Sequence, residues 1–149
     1  MIWTRDGIVV DQALSVSVLD RTFEHGLGLF ETMRTWNGRA PLLRRHLQRL
    51  QNSAQELDLP LDPASLPDQE AIQALLKASR IEGDARLRLV ASGGTPDGQP
   101  CIVFLRAWPV DRWEWTNLRI GYAQWQFNPP LERHKTLNYW GKNHLWHHI

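Results

Sequence analysis

Apolar and polar residues alternate near the start of the chain with the period of a β-strand. The stretches IWTR and IVV flank Asp6-Gly7, a dipeptide typical of two-residue hairpin turns, and they predict a hairpin over residues 1–10. Asn37-Gly38 predicts a second tight turn after the strand LFETMRTW. In that strand one face carries Phe30, Thr32, Arg34 and Trp36, and the other carries Leu29, Glu31 and Met33.

Two later stretches follow the period of an α-helix instead. Apolar residues at alternating spacings of four and three predict an amphipathic helix that ends before Pro60; they are Leu43, Leu47, Leu50, Ala54 and Leu57. The residues from Ser65 to Asp68 predict the start of a second helix, which we expect to end at Gly83. Asp20 is a predicted N-cap for a much shorter helical turn.

The order of these elements predicts an α+β fold. ARLRLVAS and PCIVFLRAW indicate two further strands, joined by the turn-forming sequence GGTPDGQ. Strands before and after a pair of helices are typical of a two-layer domain, in which helices cover one face of a mostly antiparallel sheet. We expect this N-terminal domain to occupy residues 1–112.

Residues 113–149 predict a linker and the incomplete start of a second domain. NLRIGYAQW indicates a strand, Pro129-Pro130 a turn, and the residues after Asn138 the start of a helix. Three such elements are too few to bury a core of their own. We therefore expect Lys135, within this segment, to lie on a mobile and hydrated stretch.

Composition excludes several classes of function. With 42% hydrophobic and 22% charged residues the chain can form an ordinary core, and its formal charge of +1 predicts binding to neither nucleic acid nor an anionic membrane. The N-terminus lacks the apolar stretch of a signal peptide, and the single Cys101 lies in the apolar run CIVFL, which predicts a buried thiol. We expect a cytoplasmic protein.

Three groups of polar residues are candidates for chemistry, and each also has a structural interpretation. Arg49 follows His46 at the edge of the first helix and could bind a phosphate or simply extend into solvent. Arg86 and Arg88 share one face of a strand, which is either solvated or able to bind carboxylates. The histidines of HLWHHI lack a neighbouring carboxylate or cysteine, so we predict no metal site.

The fourth candidate is Lys135, one of only three lysines in the chain. It lies in NPPLERHKTLNYW, which follows LDRTFEHGLGLFETMR, LLRRHLQRLQNSAQEL and LRLVASGG along the sequence. As an ordered set, these stretches resemble the landmarks of the fold-type IV pyridoxal-phosphate enzymes, the class IV aminotransferase family. The resemblance extends from the N-terminus to Tyr139.

The resemblance implies a role for each matching residue. Lys135 matches the lysine that forms the Schiff base with pyridoxal phosphate, where its amine also shuttles a proton. Arg49 matches the arginine that binds the cofactor phosphate, His25 and Phe30 match residues lining the substrate side, and Arg88 matches a position near the acidic group of the substrate. The family also implies amino acid or keto acid substrates and a homodimer at full length.

Departures from the family pattern leave the reaction open. Gly93 stands where D-amino-acid aminotransferases carry an arginine, and FETMR replaces the FEGIR of many branched-chain enzymes. These differences favour the 4-amino-4-deoxychorismate lyases or unassigned members, so pyruvate elimination is the alternative to transamination. The acidic partner of the pyridine nitrogen follows the lysine in the family, beyond Ile149 here. We therefore expect a truncated, inactive fragment.

A non-enzymatic binding module is the alternative from another class. The eight tryptophans, together with the arginine-bearing strands, could hold a ligand such as single-stranded nucleic acid by stacking and charge. The near-zero net charge disfavours this interpretation, because nonspecific nucleic-acid binding depends on an excess of positive charge.

Overall fold

The computed structural model describes residues 1–10, 13–110 and 129–146 of the 149-residue chain. The strands are β1 (Ile2–Thr4), β2 (Gly7–Val9), β3 (Gly28–Arg34), β4 (Ala85–Ser92) and β5 (Val103–Pro109). The α-helices are α1 (Arg21–His25), α2 (Leu43–Glu56), α3 (Gln69–Ala78), α4 (Pro129–Glu132) and α5 (Trp140–Trp146), and one 3₁₀ turn covers Pro63–Ser65. No helix of the described part is long and apolar enough to cross a membrane.

The strands form one antiparallel sheet in the order β2-β1-β5-β4-β3, which confirms the predicted α+β class. Each strand alternates between an inner face, covered by α2 and α3, and an outer face on the opposite side. The core lies between the inner face and the helices and includes Leu29, Met33, Leu50, Ile72, Leu75, Leu87, Leu89 and Leu105. Full burial of each such side chain contributes about 2 kcal/mol of transfer free energy.

The first long helix begins and ends close to where the sequence predicts, and the second begins there. The apolar stripe of α2 buries Leu50 and Ala54 against the sheet, and the chain leaves the helix at Leu57, before Pro60. The N-cap of α3 is Asp68, whose carboxylate accepts a hydrogen bond of 2.8 Å from the Ala71 N–H. The helices therefore cover one face of the sheet, as predicted.

Two predicted boundaries are wrong. Thr4 pairs with Gly7, so Arg5-Asp6 forms the first hairpin turn in place of Asp6-Gly7. The second helix ends at Ala78 and not at Gly83, because Arg80 takes a positive φ of 54° and turns the chain out of the helix.

The second tight turn is confirmed. Asn37 and Gly38 have φ values of 49° and 73°, the left-handed pair that a type I′ turn requires, and Trp36 pairs with Arg39. Further along, the turn predicted at Pro129-Pro130 is instead part of α4. The predicted strand NLRIGYAQW and the domain boundary after residue 112 lie outside the described residues.

Candidate functional site

The segment that contains Lys135 lies along the free edge of β3. The Phe30 N–H donates to the Lys135 carbonyl at 2.8 Å, the Leu137 N–H donates to the Gly28 carbonyl at 2.9 Å, and Leu29 pairs with Thr136. We call residues 133–139 the lysine segment. Lys135 is half-buried on this edge and therefore less hydrated than expected, while the mobility of the stretch stays a prediction. Edge strands accept such additions because their backbone groups are otherwise unpaired.

A glycine in β3 permits this close approach. A Cβ atom at Gly28 would lie 2.7 Å from Leu137 Cδ1 and 2.9 Å from the Ala91 carbonyl oxygen, closer than atoms in proteins pack. Gly28 also has a φ of +153°, which L-residues rarely adopt. Both β4 and the lysine segment can therefore lie close to this point of β3.

Four side chains meet on the outer face of the sheet beside β3. The Arg88 Cζ lies 4.0 Å from the centre of the Phe30 ring, and the Lys135 Nζ lies 5.1 Å from the same centre. The Tyr139 ring meets Phe30 edge to face, with 5.8 Å between the ring centres. We call Phe30, Arg88, Lys135 and Tyr139 the outer-face cluster. Cation–π contacts hold both positive groups close to one apolar surface.

The electrostatics of the outer-face cluster favour an anionic ligand. Burial lowers the pKa of Arg88, the Tyr139 hydroxyl raises it, and the nearby positive charges of Arg86 and Arg106 lower it further. Arg86 and Arg106 in turn contact the Trp108 ring, at 5.2 and 4.8 Å from their Cζ atoms to its centre. A carboxylate bound beside Arg88 would relieve the repulsion among these guanidinium groups.

Arg49 belongs to a different cluster, on the inner side of the sheet. Its Nε donates to Glu31 Oε1 at 2.6 Å, its Nη2 donates to Glu31 Oε2, and His46 Nδ1 lies 2.8 Å from the same carboxylate. The Glu31 side chain is 1% exposed, whereas that of Arg49 is 46% exposed. The hydrogen bonds to Glu31 raise the pKa of Arg49 against the lowering effect of burial, and the negative charge of Glu31 raises it further.

A second polar cluster connects α2 to the lysine segment. His134 is 5% exposed, and its Nδ1 lies 2.9 Å from the Ser53 hydroxyl. Its Nε2 accepts a hydrogen bond of 3.2 Å from Arg133 Nε, and Arg133 pairs with Glu56 at 2.6 Å. Alternation along the segment thus directs His134 towards α2 and Lys135 towards the outer face.

The structure brings together three of the five predicted site residues. Lys135, Phe30 and Arg88 meet in the outer-face cluster. Arg49 lies on the inner side, and the described contacts do not connect it to Lys135. His25 is exposed at the end of α1, where its Nε2 lies 3.7 Å from Glu24. The roles assigned to all five residues stay predictions.

The histidines near the C-terminus show no metal centre in the described residues. Among those residues, no group of three or more potential metal ligands comes together, and His144 lies exposed in α5. His147 and His148 lie outside the described residues.

Sequence reasoning missed several residues of these clusters, among them Tyr139, His134, Glu31 and Ser53. Tyr139 and His134 lie within NPPLERHKTLNYW, the stretch around Lys135, but the sequence gives no indication of which face of the sheet each would occupy. The position of Glu31 could have predicted its contacts, because a carboxylate at an inward position of an apolar strand requires a cationic partner. The spacing of Arg49 and Ser53, one helical turn apart on α2, shows only that they share a face.

Comparison with known proteins places the chain in a family. Residues 28–148 match the family described as Amino-transferase class IV. The chain is 32% identical over 98 residues to the aminodeoxychorismate lyase of Bacillus subtilis, an alignment that covers 65% of this chain and 33% of the relative. It is 34% identical over 116 residues to the bifunctional aminodeoxychorismate lyase / D-amino acid transaminase of Mycobacterium tuberculosis, covering 74% and 39%.

A solved structure shows the same fold. The chain superposes with a TM-score of 0.57 and 30% identity on a hypothetical aminotransferase from Mycobacterium tuberculosis in its PLP-bound form, covering 74% of this chain and 40% of that one. The aligned part of the chain thus covers between a third and two fifths of the curated relatives described here.

Proposed function

This chain belongs to the class IV aminotransferase family, and we propose that it acts through pyridoxal phosphate on amino acids and keto acids, with Lys135 as the residue that bonds the cofactor. The contact of the Lys135 amine with Phe30, beside Arg88, is the observation that carries the proposal. It joins a nucleophilic amine, an aromatic surface and a cation for a substrate carboxylate on one face of the sheet.

The chemistry assigns a task to each member of the outer-face cluster. When bound, pyridoxal phosphate supplies an aldehyde that condenses with amines and a ring that withdraws electrons from the substrate. Lys135 would supply the amine for that bond, and its free amine would take the proton from the substrate α-carbon and carry it away from that carbon. Arg88 holds the substrate carboxylate, and Phe30 keeps water from one side of the site.

The described residues fit one end of the cofactor better than the other. The outer-face cluster suits the aldehyde and the substrate. Arg49 is proposed to bind the phosphate, but two of its N–H groups already bond Glu31 on the inner side. Its half-exposed guanidinium lines an open cleft of about 360 Å³ with Arg45, Arg133 and Glu56, and three arginines against one carboxylate support an anion contact there.

Four further proposals rest on the family and on the composition of the chain. We propose a homodimer for a protein of the relatives' length, a cytoplasmic location, and no nucleic-acid or membrane partner. For the 149 residues by themselves we propose no turnover, because the relatives are about twice as long.

The second candidate reaction is elimination of pyruvate from a 4-amino-4-deoxychorismate-type substrate. Both curated relatives described above carry the lyase name. Gly93 also bears on specificity, because a Cβ there would lie 2.8 Å from the Leu27 carbonyl oxygen and 2.9 Å from Arg21 Cβ. An arginine does not fit at this position, which supports the proposal that the carboxylate trap of D-amino-acid aminotransferases is absent.

Reductive trapping tests the role of Lys135. The chain is incubated with pyridoxal phosphate, reduced with borohydride and mapped by peptide mass spectrometry. We expect the label on Lys135 at cofactor concentrations that leave Lys77 unlabelled, and we expect Lys135→Ala to abolish it. Lys77→Ala and Lys142→Ala are the matched controls and should retain it. Labelling of Lys77 or Lys142 in place of Lys135 would contradict the proposal.

The reaction itself is tested on a protein of the relatives' length. Release of pyruvate from aminodeoxychorismate without a keto acid would establish the lyase, whereas amino transfer that requires a keto acid would establish the aminotransferase.

A further inference from the structure

We propose that His134 is a positioning residue, which fixes the register of the lysine segment and thereby the face of the sheet on which the Lys135 amine emerges. This inference rests on the proposed function only for the importance of Lys135. The hydrogen bonds of His134 are a separate observation, because they lie on the inner side of the sheet, away from the outer-face cluster.

The pairing of the lysine segment with β3 is short. Two backbone hydrogen bonds hold it, from Phe30 N–H to Lys135 and from Leu137 N–H to Gly28. Side chains alternate along a strand, so a slip of one residue would send every side chain of the segment to the opposite face. Lys135 would then face α2, and His134 would face Phe30. So few backbone bonds specify the register weakly.

His134 makes the contacts that specify the register of the lysine segment. Because Arg133 Nε donates to its Nε2, the neutral ring carries its proton on Nδ1 and donates it to the Ser53 hydroxyl. Ser53 is itself buried on α2, so this acceptor has a fixed position. The slipped register would leave Ser53 without its partner and would bury a lysine amine in its place, which is unfavourable.

Arg133 and Glu56 cover the His134 ring on its solvent side. Glu56 Oε2 lies 3.4 Å from His134 Nε2 and pairs with Arg133, so a charged pair covers the ring at the surface. Ser53, His134 and Glu56 do not form a nucleophilic triad, because Arg133 occupies the Nε2 lone pair and the Ser53 hydroxyl is buried. The cluster is therefore built to hold the segment.

Hydrogen exchange on the 149-residue chain tests the inference directly. In His134→Ala, we expect the amides of Phe30 and Leu137 to exchange at least about tenfold faster, while the amides of Leu87 and Leu89 in β4 keep their rates. In His134→Asn, the side-chain amide can still donate to Ser53, so protection should return to within about threefold of the wild-type value. His144→Ala, which changes an exposed histidine of α5, is the matched control and should leave both amides protected.

A chemical readout reports the position of the amine itself. We expect the labelling rate of Lys135 by an amine-reactive acetylating reagent to change in His134→Ala and to return towards the wild-type rate in His134→Asn, with Lys77 as the internal reference. Borohydride trapping of pyridoxal phosphate on Lys135 should fall and recover in parallel. A purely structural role in stability would not separate Lys135 from Lys77 in this way.

The outcomes separate the two proposals. If the amides of Phe30 and Leu137 exchange, and Lys135 is labelled, at the same rates in His134→Ala as in the wild-type chain, the proposed role of His134 is wrong. If the wild-type chain traps no pyridoxal phosphate on Lys135, the proposed function fails, while the exchange rates still decide the role of His134. If His134→Ala exposes the β4 amides and so unfolds, Ser53→Ala decides instead: faster exchange of Phe30 and Leu137 alone supports the inference, and unchanged exchange contradicts it.

Discussion

Phe30 and Glu31 are neighbours in β3, but their side chains lie on opposite faces of the sheet. Phe30 contacts Arg88, Lys135 and Tyr139 on the outer face. Glu31 faces α2, where it is almost fully buried and bonds Arg49 and His46. A single edge strand therefore supports the proposed chemical site on one side and the polar contacts to α2 on the other.

At the residue scale, we predict that Arg49→Ala destabilises the protein, whatever its role towards a phosphate. The substitution leaves the buried Glu31 carboxylate with His46 alone, and loss of a charged hydrogen-bond partner costs about 2 kcal/mol at a half-exposed position. Urea unfolding measures the free energy. Arg45→Ala, an exposed arginine one turn earlier on α2, is the matched control and should change it by less than about 0.5 kcal/mol.

A double variant checks the cause. In Glu31→Gln the buried charge is absent, so a further Arg49→Ala should cost much less than it does in the wild-type chain. Equal costs in the two backgrounds would show that Arg49 stabilises α2 by some other contact.

At the element scale, the short helix α1 depends on Asp20. Its carboxylate accepts hydrogen bonds of 2.8 Å from the Thr22 N–H and 2.7 Å from the Ser92 hydroxyl, so one residue caps α1 and ties it to the end of β4. Burial by itself would raise the pKa of Asp20, but the bond from Ser92 and those around Thr22 outweigh it and hold the pKa below its ordinary value. The confirmed N-cap is thus also a tertiary contact.

We predict that this contact makes stability depend on pH under acidic conditions. A carboxyl group with a lowered pKa in the folded state contributes stability that is complete above its unfolded pKa of about 3.9 and is lost as the pH falls through the folded value. Asp20→Ala should cost about 1 to 2 kcal/mol at pH 7. Free energies of unfolding measured from pH 7 down to pH 2 should fall less steeply in Asp20→Asn than in the wild-type chain, and parallel slopes would contradict this.

At the scale of the whole molecule, the core between the sheet and the helices encloses Cys101. Burial raises the pKa of this thiol to about 11; the charge of Asp20 adds to the effect and that of Arg21 opposes it. At pH 8 only about one thiol in a thousand is then ionised, and the thiolate is the reactive form.

We therefore predict that Cys101 reacts with a disulfide reagent such as DTNB only when the fold opens. At pH 8 the folded chain should react at least about a hundredfold more slowly than the chain in 6 M guanidinium, as followed by thiolate release at 412 nm. Asp20→Ala, which loosens the contact between α1 and the end of β4, should speed the reaction in proportion to its loss of stability. Immediate reaction of the folded wild-type chain would show that the thiol is accessible.

The local sequence was sufficient to predict most elements and their order. Periods of two and of 3.6 residues distinguish strands from helices, and Asp20, Asp68 and Asn37-Gly38 mark caps and a turn through their own hydrogen-bonding and backbone preferences. Lys135, Phe30 and Arg88 were also predicted as site residues, from the resemblance to the family. Two boundaries were misplaced. The first hairpin turn depends on which residues of β1 and β2 pair, and the end of α3 depends on the positive φ of Arg80, which its residue type does not predict.

Only the tertiary structure decided how the parts of the site are distributed. The sequence determined that Glu31 faces inward and that Arg49 and Ser53 share a face of α2, since each follows from a local period. That Arg49 bonds Glu31, and that His134 reaches Ser53 while Lys135 reaches Phe30, depends on the lysine segment pairing with β3 across more than 100 residues of chain. Local periods carry no information about such a pairing, because register and partner are set by the fit of side chains that meet only in the folded protein.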